Sequence, residues 1–377
     1  MKVRVLKFAS YFGLLVAITF AWLVYVEAVC FARLRVSEPG TDLIPRQKLR
    51  AVYAGTDWVD AMADEWAPSN RFAYKAYVGW ERKPFSGRAI NIDESGLRRT
   101  SPSNCEGNAY TIWMFGGSTV WGAGTPDWLT VPSQLGAMYE KNGRAVCVHN
   151  YGQKAWVSNQ EVIKLILELK ESQRKPDLVI FYDGPADVYE THQSGRAGLH
   201  QNFDVMARMF EGHAPAATGN FQYLLETNTS RFLLQQRQQN QMAKQVTAAD
   251  AAVIAQESVQ NYMQNVRFVQ GLARQYGFEA AFFWQPTIST GNKHLTPDEQ
   301  AARDSARQRT PGIEEANQAA YALMQAQCRA PMFCIADVFD QATGTIYFDD
   351  AHVDAEGNHL IAKRMYDGLH PDDRSKL

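Results

Sequence analysis

Apolar residues change their spacing repeatedly along the chain, and the changes mark out elements. Short apolar runs bounded by turn-forming residues at 110–115, 145–150, 178–183, 279–285 and 333–338 read as buried strands. Between the second and third runs, Ser158-Asn159-Gln160-Glu161 has the sequence of a capping box. Val162, Leu165, Ile166 and Leu169 follow it at helical spacing, which predicts a helix with one apolar face. A longer helix is expected over 254–276, with Val259, Tyr262, Met263 and Val266 inward and Gly277 as its stop. Another is expected over 313–326. Alternating strands and helices predict a parallel sheet covered on both faces, here a flavodoxin-like three-layer α/β/α arrangement with five strands.

Three stretches lie outside that rhythm. Residues 8–32 carry Glu27 as their only charge and are long enough to span a bilayer as a helix. Lys2, Arg4 and Lys7 precede the stretch and Arg33 and Arg35 follow it. The N-terminal cluster with the free amine favours an amino end inside and a remainder outside the cytoplasm. A cleaved signal peptide calls for a shorter apolar region and a small-x-small site, which are lacking, and Glu27-Ala28-Val29-Cys30 is a poor lipoprotein signal. Residues 1–36 are therefore expected to be a cytoplasmic tip and transmembrane anchor, and 37–104 a stalk and irregular lead-in with a short strand near 89–93. The remaining 105–377 form one α/β domain on this reading. Within that domain, 189–250 breaks the alternation and contains Gln235-Gln236-Arg237-Gln238-Gln239-Asn240-Gln241. It reads as an insertion after the third strand, either a lid or a solvated excursion. Residues 287–311 read as a second excursion, and no internal repeat is present.

A hydrophobic content of 46% with 21% charged residues is that of a globular chain with a sizeable core. A net charge of −2, with both signs mixed throughout, argues against a nucleic-acid partner, which needs a concentrated basic face. Cys30 lies at the membrane, leaving Cys105, Cys147, Cys328 and Cys334 as an even set in a compartment where disulfides persist. Sequence permits three pairings. The short loop between Cys328 and Cys334, and the expected neighbouring strands at Cys105 and Cys147, favour 328–334 with 105–147.

The strongest chemical signal is Trp113-Met114-Phe115-Gly116-Gly117-Ser118-Thr119, where an apolar strand ends in two glycines and a hydroxyl. Such a junction lets the backbone turn sharply and leaves a serine at the carboxyl edge of a sheet beside free N–H groups, as an acyl-transfer site requires. A phosphate cradle or a bare turn has the same appearance. Far along the chain stands Tyr347-Phe348-Asp349-Asp350-Ala351-His352-Val353. Asp349, three residues before His352, can orient one imidazole nitrogen and leave the other to take a proton from serine. His149 and His359 read as packed or rim residues. Asp183 and Asp187, with His192 nearby, read as turn residues bonded to backbone, and not as a metal site. No zinc-type Cys/His spacing and no Gly-Lys-Ser/Thr phosphate motif occurs, so no metal and no cofactor is expected.

At these residues the chain resembles the SGNH or GDSL-type hydrolases, specifically the membrane-anchored bacterial branch whose serine block reads Gly-Gly-Ser-Thr. The likeness runs over about 108–366 in four ordered blocks. They are Phe115-Gly116-Gly117-Ser118-Thr119, Asn150-Tyr151-Gly152-Gln153-Lys154-Ala155, Tyr182-Asp183-Gly184-Pro185-Ala186-Asp187-Val188, and Asp349 to His352 with Gly357-Asn358. The resemblance implies Ser118 as nucleophile, His352 as base and Asp349 as orienting acid, with an oxyanion hole including the backbone N–H groups of Ser118 and Ala155. Two positions depart from the family. Ala155 stands where it has glycine, and Ala186 where it has the asparagine whose side chain donates to the oxyanion. The resemblance and the inferred location imply an extracytoplasmic (periplasmic) serine esterase acting on acyl groups, foremost O-acetyl, of a carbohydrate or polysaccharide. An O-acyltransferase to a glycan, or a binding or assembly protein with weakened catalysis, would use the same fold. Trp121, Trp128 and Trp156 near the blocks could stack on sugars, but core packing is the simpler use of them.

Overall fold

The computed structural model describes residues 2–36, 44–201, 203, 206–207, 228–229 and 248–371. The chain divides into two compact units, residues 1–41 with 205–244, and residues 42–204 with 245–377. The first unit is built on helix α1 (Lys2–Val36), of which Gly13–Ala32 is long and apolar enough to cross a membrane. Its one acidic side chain, Glu27, accepts hydrogen bonds from the N–H groups of Asn228 and Thr229 at 2.8 and 3.1 Å. The 189–250 insertion falls mostly on residues outside the description, apart from its flanks.

In the second unit the expected irregular lead-in is ordered. It contains α2 (Arg46–Val52), α3 (Val59–Ser69) and two small antiparallel pairs, β1 (Phe72–Lys75) with β2 (Gly79–Arg82) and β3 (Phe85–Ser86) with β4 (Asn91–Ile92). The run at 89–93 thus pairs over two residues only. Burial explains the order: Ile44, Leu49, Met62, Trp66 and Ile90 pack with Trp121 and Phe348 in one apolar cluster, so this segment shares its core with the residues flanking Ser118 and His352. Each such side chain contributes roughly 1.5–3 kcal/mol when fully buried.

The sheet follows the expected alternation. Strand β5 (Tyr110–Gly116) leads through α4 (Ser118–Trp121) and α5 (Val131–Lys141) to β6 (Val146–Asn150). Next come α6 (Ser158–Glu171), β7 (Leu178–Asp183), α7 (Pro185–Ser194), α8 (Ala248–Tyr276) and β8 (Glu279–Trp284). The chain then continues through α9 (Pro297–Arg309), α10 (Ile313–Gln325), β9 (Met332–Cys334) and α11 (Ala355–Leu369). The five strands are parallel in the order β6-β5-β7-β8-β9, a three-layer flavodoxin-like arrangement with helices on both faces. Period two decides which side chain feeds which layer. Trp113, Phe115, Val179, Phe181, Phe282 and Trp284 join α6, α8 and α10, while Ile112, Met114, Leu178, Ile180, Tyr182 and Phe283 join α5 and α11. Stacked rings of Tyr151, Phe115, Phe181 and Phe282, with centroids 4.6, 5.3 and 5.6 Å apart, tie the residue after β6 to strands β5, β7 and β8 across one face.

Three elements differ from the sequence reading. The last strand stops at Cys334 instead of reaching 338, because Ile335 leaves the extended conformation and residues 336–339 coil into a single 3-10 turn that buries Phe339. Helix α8 starts at Ala248, six residues before the first apolar position that predicted it. At the start of α6 the capping residue is Val157, whose N–H donates to Gln160 Oε1 at 3.2 Å, and Glu161 is buried instead of capping. The excursion at 287–311 contains the whole of α9, whose capping box joins Thr296 and Glu299. Disulfides join Cys105 to Cys147 and Cys328 to Cys334.

The displaced Glu161 enters a buried acidic group with Asp183, Asp187 and Glu190, placed between the ends of β7, α6 and α7. Glu161 and Asp183 face each other closely enough to share a proton, and Glu190 Oε2 has no partner among the described residues. Burial first, and then neighbouring carboxylate charge, pushes Asp183 and Glu190 up to about 8 and holds Glu161 well above the usual carboxylate range. Asp187, relieved by hydrogen bonds from Ser158, rises to about 6, mainly through burial. Folded carboxyls with raised pKa bind protons more tightly than unfolded ones, so the stability they contribute is full below about pH 4 and is lost as pH rises toward 8. The thermal midpoint is expected to fall between pH 5 and 8. Asp183→Asn should reduce that fall by at least about 1.4 kcal/mol, one pKa unit's worth. An unchanged slope in calorimetry would show that these groups ionise freely.

Candidate active site

Ser118 stands at the carboxyl edge of the sheet because β5 cannot continue past its glycines. A side chain on Gly116 would strike Val120 Cγ2 at 2.3 Å and Tyr182 O at 2.7 Å, so only glycine fits there and the chain turns into α4 with Ser118 as its first residue. The loop after β6 lies directly against that helix. A Cβ on Gly152 would come within 2.2 Å of Trp121 N and 2.7 Å of Val120 C, both backbone atoms. The turn after β7 completes the junction. A Cβ on Gly117 would lie 3.7 Å from Trp156 O, 3.9 Å from the Ala186 Cβ and 4.0 Å from Gln153 O. The serine block and the two blocks after β6 and β7 therefore meet at Gly117, although more than sixty residues separate the first from the last.

His352 arrives from the segment before α11. Its Nε2 is 2.6 Å from Ser118 Oγ, and its Nδ1 is 2.8 and 3.0 Å from the two oxygens of Asp349. Asp349 Oδ1 also accepts the N–H groups of Ala351 and His352 at 3.0 and 2.8 Å, which locks the carboxylate in line with the ring. Burial works against the Asp349 charge, but the His352 ring and these bonds outweigh it and hold the carboxyl down at about 2. For His352, burial lowers the pKa, while the charges of Asp349 and Asp350 and the Asp349 hydrogen bond raise it further, leaving it above the ordinary imidazole value; Lys154 opposes them. An ionised Asp349 beside Nδ1 favours the tautomer with Nε2 open toward Ser118.

Ala155 adopts φ +52°, the left-handed conformation that glycine tolerates best. Holding a residue with a Cβ in that conformation costs about 1 kcal/mol or more. Among the described residues neither the Ser118 N–H nor the Ala155 N–H has a protein acceptor. Ala186, near the start of α7, brings a methyl group and no donor.

Further residues hold this arrangement. Trp121, three residues after Ser118, is sandwiched between the guanidinium groups of Arg82 and Arg98, 3.6 and 4.2 Å from its ring. Both arginines are buried. Thr119 Oγ1 donates to Gln285 Oε1 at 2.8 Å, and Gln285 directly follows β8. Sequence reading missed Arg82, Arg98 and Gln285; for Gln285 the available signal was a polar residue at the carboxyl end of a parallel strand, where ligands bind. The other candidates lie elsewhere. His192 Nε2 is 2.9 Å from Pro311 O, His149 Nε2 is 3.2 Å from Cys147 Sγ, and His359 Nδ1 is 3.3 Å from Gln134 Oε1. Trp121 and Trp156 are core residues, and Trp128 packs edge-on to Trp58.

No family model matches the chain, and no curated protein sequence does. Solved structures of SGNH and GDSL-type hydrolases are similar to it. A lipolytic protein of the G-D-S-L family from Veillonella parvula DSM 2008 is 10% identical with a TM-score of 0.36, over 71% of this chain and 99% of that one. The acetyl xylan esterase AlAXEase is 11% identical with a TM-score of 0.35, over 69% and 99%. The SGNH-hydrolase family esterase AlinE4 is 11% identical with a TM-score of 0.32, over 71% and 97%. The chemistry rests on this chain's own residues.

Proposed function

We propose that the α/β unit is a serine esterase that removes acyl groups, foremost O-acetyl, from a carbohydrate through an acyl-enzyme on Ser118, with α1 anchoring it on the outer side of a membrane. The observation that carries this reading is the hydrogen-bonded line Ser118 Oγ, His352 Nε2, His352 Nδ1, Asp349. Ser118 Oγ attacks the acyl carbonyl while His352 Nε2 takes its proton, and Asp349 holds the resulting imidazolium. The N–H groups of Ser118 and Ala155 receive the oxyanion. Collapse expels the sugar hydroxyl, protonated by His352. A water deprotonated by the same nitrogen then releases the carboxylate and restores Ser118.

The acetyl and carbohydrate parts of the reading come from the likeness of the four sequence blocks, and the outer location from Lys2, Arg4 and Lys7 before the apolar stretch with an even cysteine set after it. Incubating the purified full chain with a panel of O-acetylated polysaccharides should release acetate at a rate that depends on Ser118. Absence of release from every glycan, combined with turnover of non-sugar esters, would remove the carbohydrate and leave the esterase.

A further inference from the structure

We propose that the side-chain amide of Gln285 is the oxyanion donor that compensates for Ala186. The proposal deepens the esterase reading and rests on it. Three observations converge on this side chain. First, the Ala186 methyl borders the nucleophile turn, 3.9 Å from a Cβ placed on Gly117, and offers no hydrogen there. The turn therefore presents an apolar wall where a developing negative charge would be left with backbone donors alone.

Second, Gln285 is held beside that wall. Its N–H donates to Asp183 O at 2.8 Å, continuing the β7–β8 register past Trp284, so it flanks the Asp183-Gly184-Pro185-Ala186 turn. The residue is only 4% exposed, a position where an uncharged amide is seldom kept without use.

Third, the amide is already oriented. Thr119, the residue after the nucleophile, donates its hydroxyl to Gln285 Oε1 at 2.8 Å. That bond occupies the amide oxygen at the nucleophile helix and leaves Nε2 as the free end. Nε2 has no protein acceptor among the described residues, and its bond partner Oε1 is fixed on Thr119, the residue next to Ser118, which keeps the amide at the nucleophile turn. A preorganised N–H donor in this place meets the oxyanion without reorganisation, and one such donor is worth about 10²–10³ in turnover. Asparagine on the β7 turn and glutamine at the end of β8 would then be two routes to one donor, reached from adjacent strand ends.

The test uses initial rates on p-nitrophenyl acetate with the full chain, its Ser118→Ala variant, Gln285→Ala, Gln285→Glu, and Gln285→Ala combined with Ala186→Asn. Gln285→Ala is expected to lower kcat about 100-fold with KM changed less than about threefold, since the donor acts in the transition state. Gln285→Glu keeps the size and the acceptor for Thr119 but removes the donor, so it should lose at least as much. Restoring an amide across the turn with Ala186→Asn should recover at least about tenfold of the loss, a rescue that a merely structural role would not produce. A kcat for Gln285→Glu within about threefold of wild type would overturn the proposal and leave the esterase standing. So would a fall in kcat that Ala186→Asn leaves uncorrected. Wild-type chain without Ser118-dependent turnover would overturn both readings together.

Discussion

Ser118→Ala is expected to lower ester turnover by at least about 10⁴-fold and to abolish labelling by a fluorophosphonate probe, while folding stability changes by no more than about 1.5 kcal/mol. The size of the effect follows from the geometry. Ser118 Oγ is the only group on the line from His352 that can form the acyl bond, and its stability contribution is one hydrogen bond at the sheet edge. Rates on a simple ester carry a second signature. The base must be neutral to accept the serine proton, and the Asp349 and Asp350 charges raise its pKa against burial, so kcat/KM should climb with pH through an inflection above the ordinary value of 6.5. Probe adducts on another residue of the Ser118→Ala chain, or an inflection well below 6.5, would displace the assignment.

Much of this site is legible in the sequence because its parts are local. Gly116-Gly117-Ser118 is a turn whose chemistry is written in consecutive residues, and Asp349 reaches His352 across three positions. Their convergence follows from strand order: once β5, β6 and β7 are parallel neighbours, every following loop opens on one edge. The features that sequence does not announce depend on long-range packing. Residues 44–104 show no long helical pattern; the short one at Val59, Met62, Ala63 and Trp66 forms α3, which packs with Ile44 and Leu49 on the surface that Trp121 and Phe348 offer. Glu161 occupies the capping-box position in sequence, yet the layer above β7 draws it inward beside Asp183, where no spacing rule places an acid. Helix α8 begins ahead of the large apolar residues that signal it because Ala251 and Ala255, both buried, continue the face of Val259 and Tyr262 with side chains too small to mark it, and Asp250 stands in the first turn, where an acidic group favours a helix N-terminus. Gln285 and Arg98 are silent for the same reason: their partners, Thr119 and Asp127, lie 166 and 29 residues away.

Arg98→Met should produce the largest loss of stability among these substitutions, about 3–5 kcal/mol, with a thermal midpoint lower by roughly 10 °C in circular dichroism. The guanidinium is fully enclosed. Its Nε donates to Asp127 Oδ1 at 2.9 Å, and its terminal nitrogens donate to Trp121 O, Gly122 O and Thr125 O at 2.9, 2.7 and 2.6 Å. Those carbonyls close the short helix that begins at Ser118, so the side chain fastens the far end of the nucleophile's own element. Methionine preserves most of the volume and the contact with Trp121, but it strands the Asp127 carboxylate with only Asn91 as partner, leaves Thr125 O without a donor, and leaves Trp121 O with only the 3.5 Å bond from Asn150 Nδ2, while Gly122 O keeps the N–H and hydroxyl of Thr125. Because the penalty is chiefly an unpaired buried charge, adding Asp127→Asn to Arg98→Met should recover a measurable part of the loss. Turnover should fall along with stability even at temperatures where the chain remains folded, since α4 loses the anchor that fixes Ser118 Oγ against His352. A loss below about 1 kcal/mol with unchanged turnover would mean that the packing of Trp121 against Arg82 and Trp66 holds the nucleophile turn without Arg98.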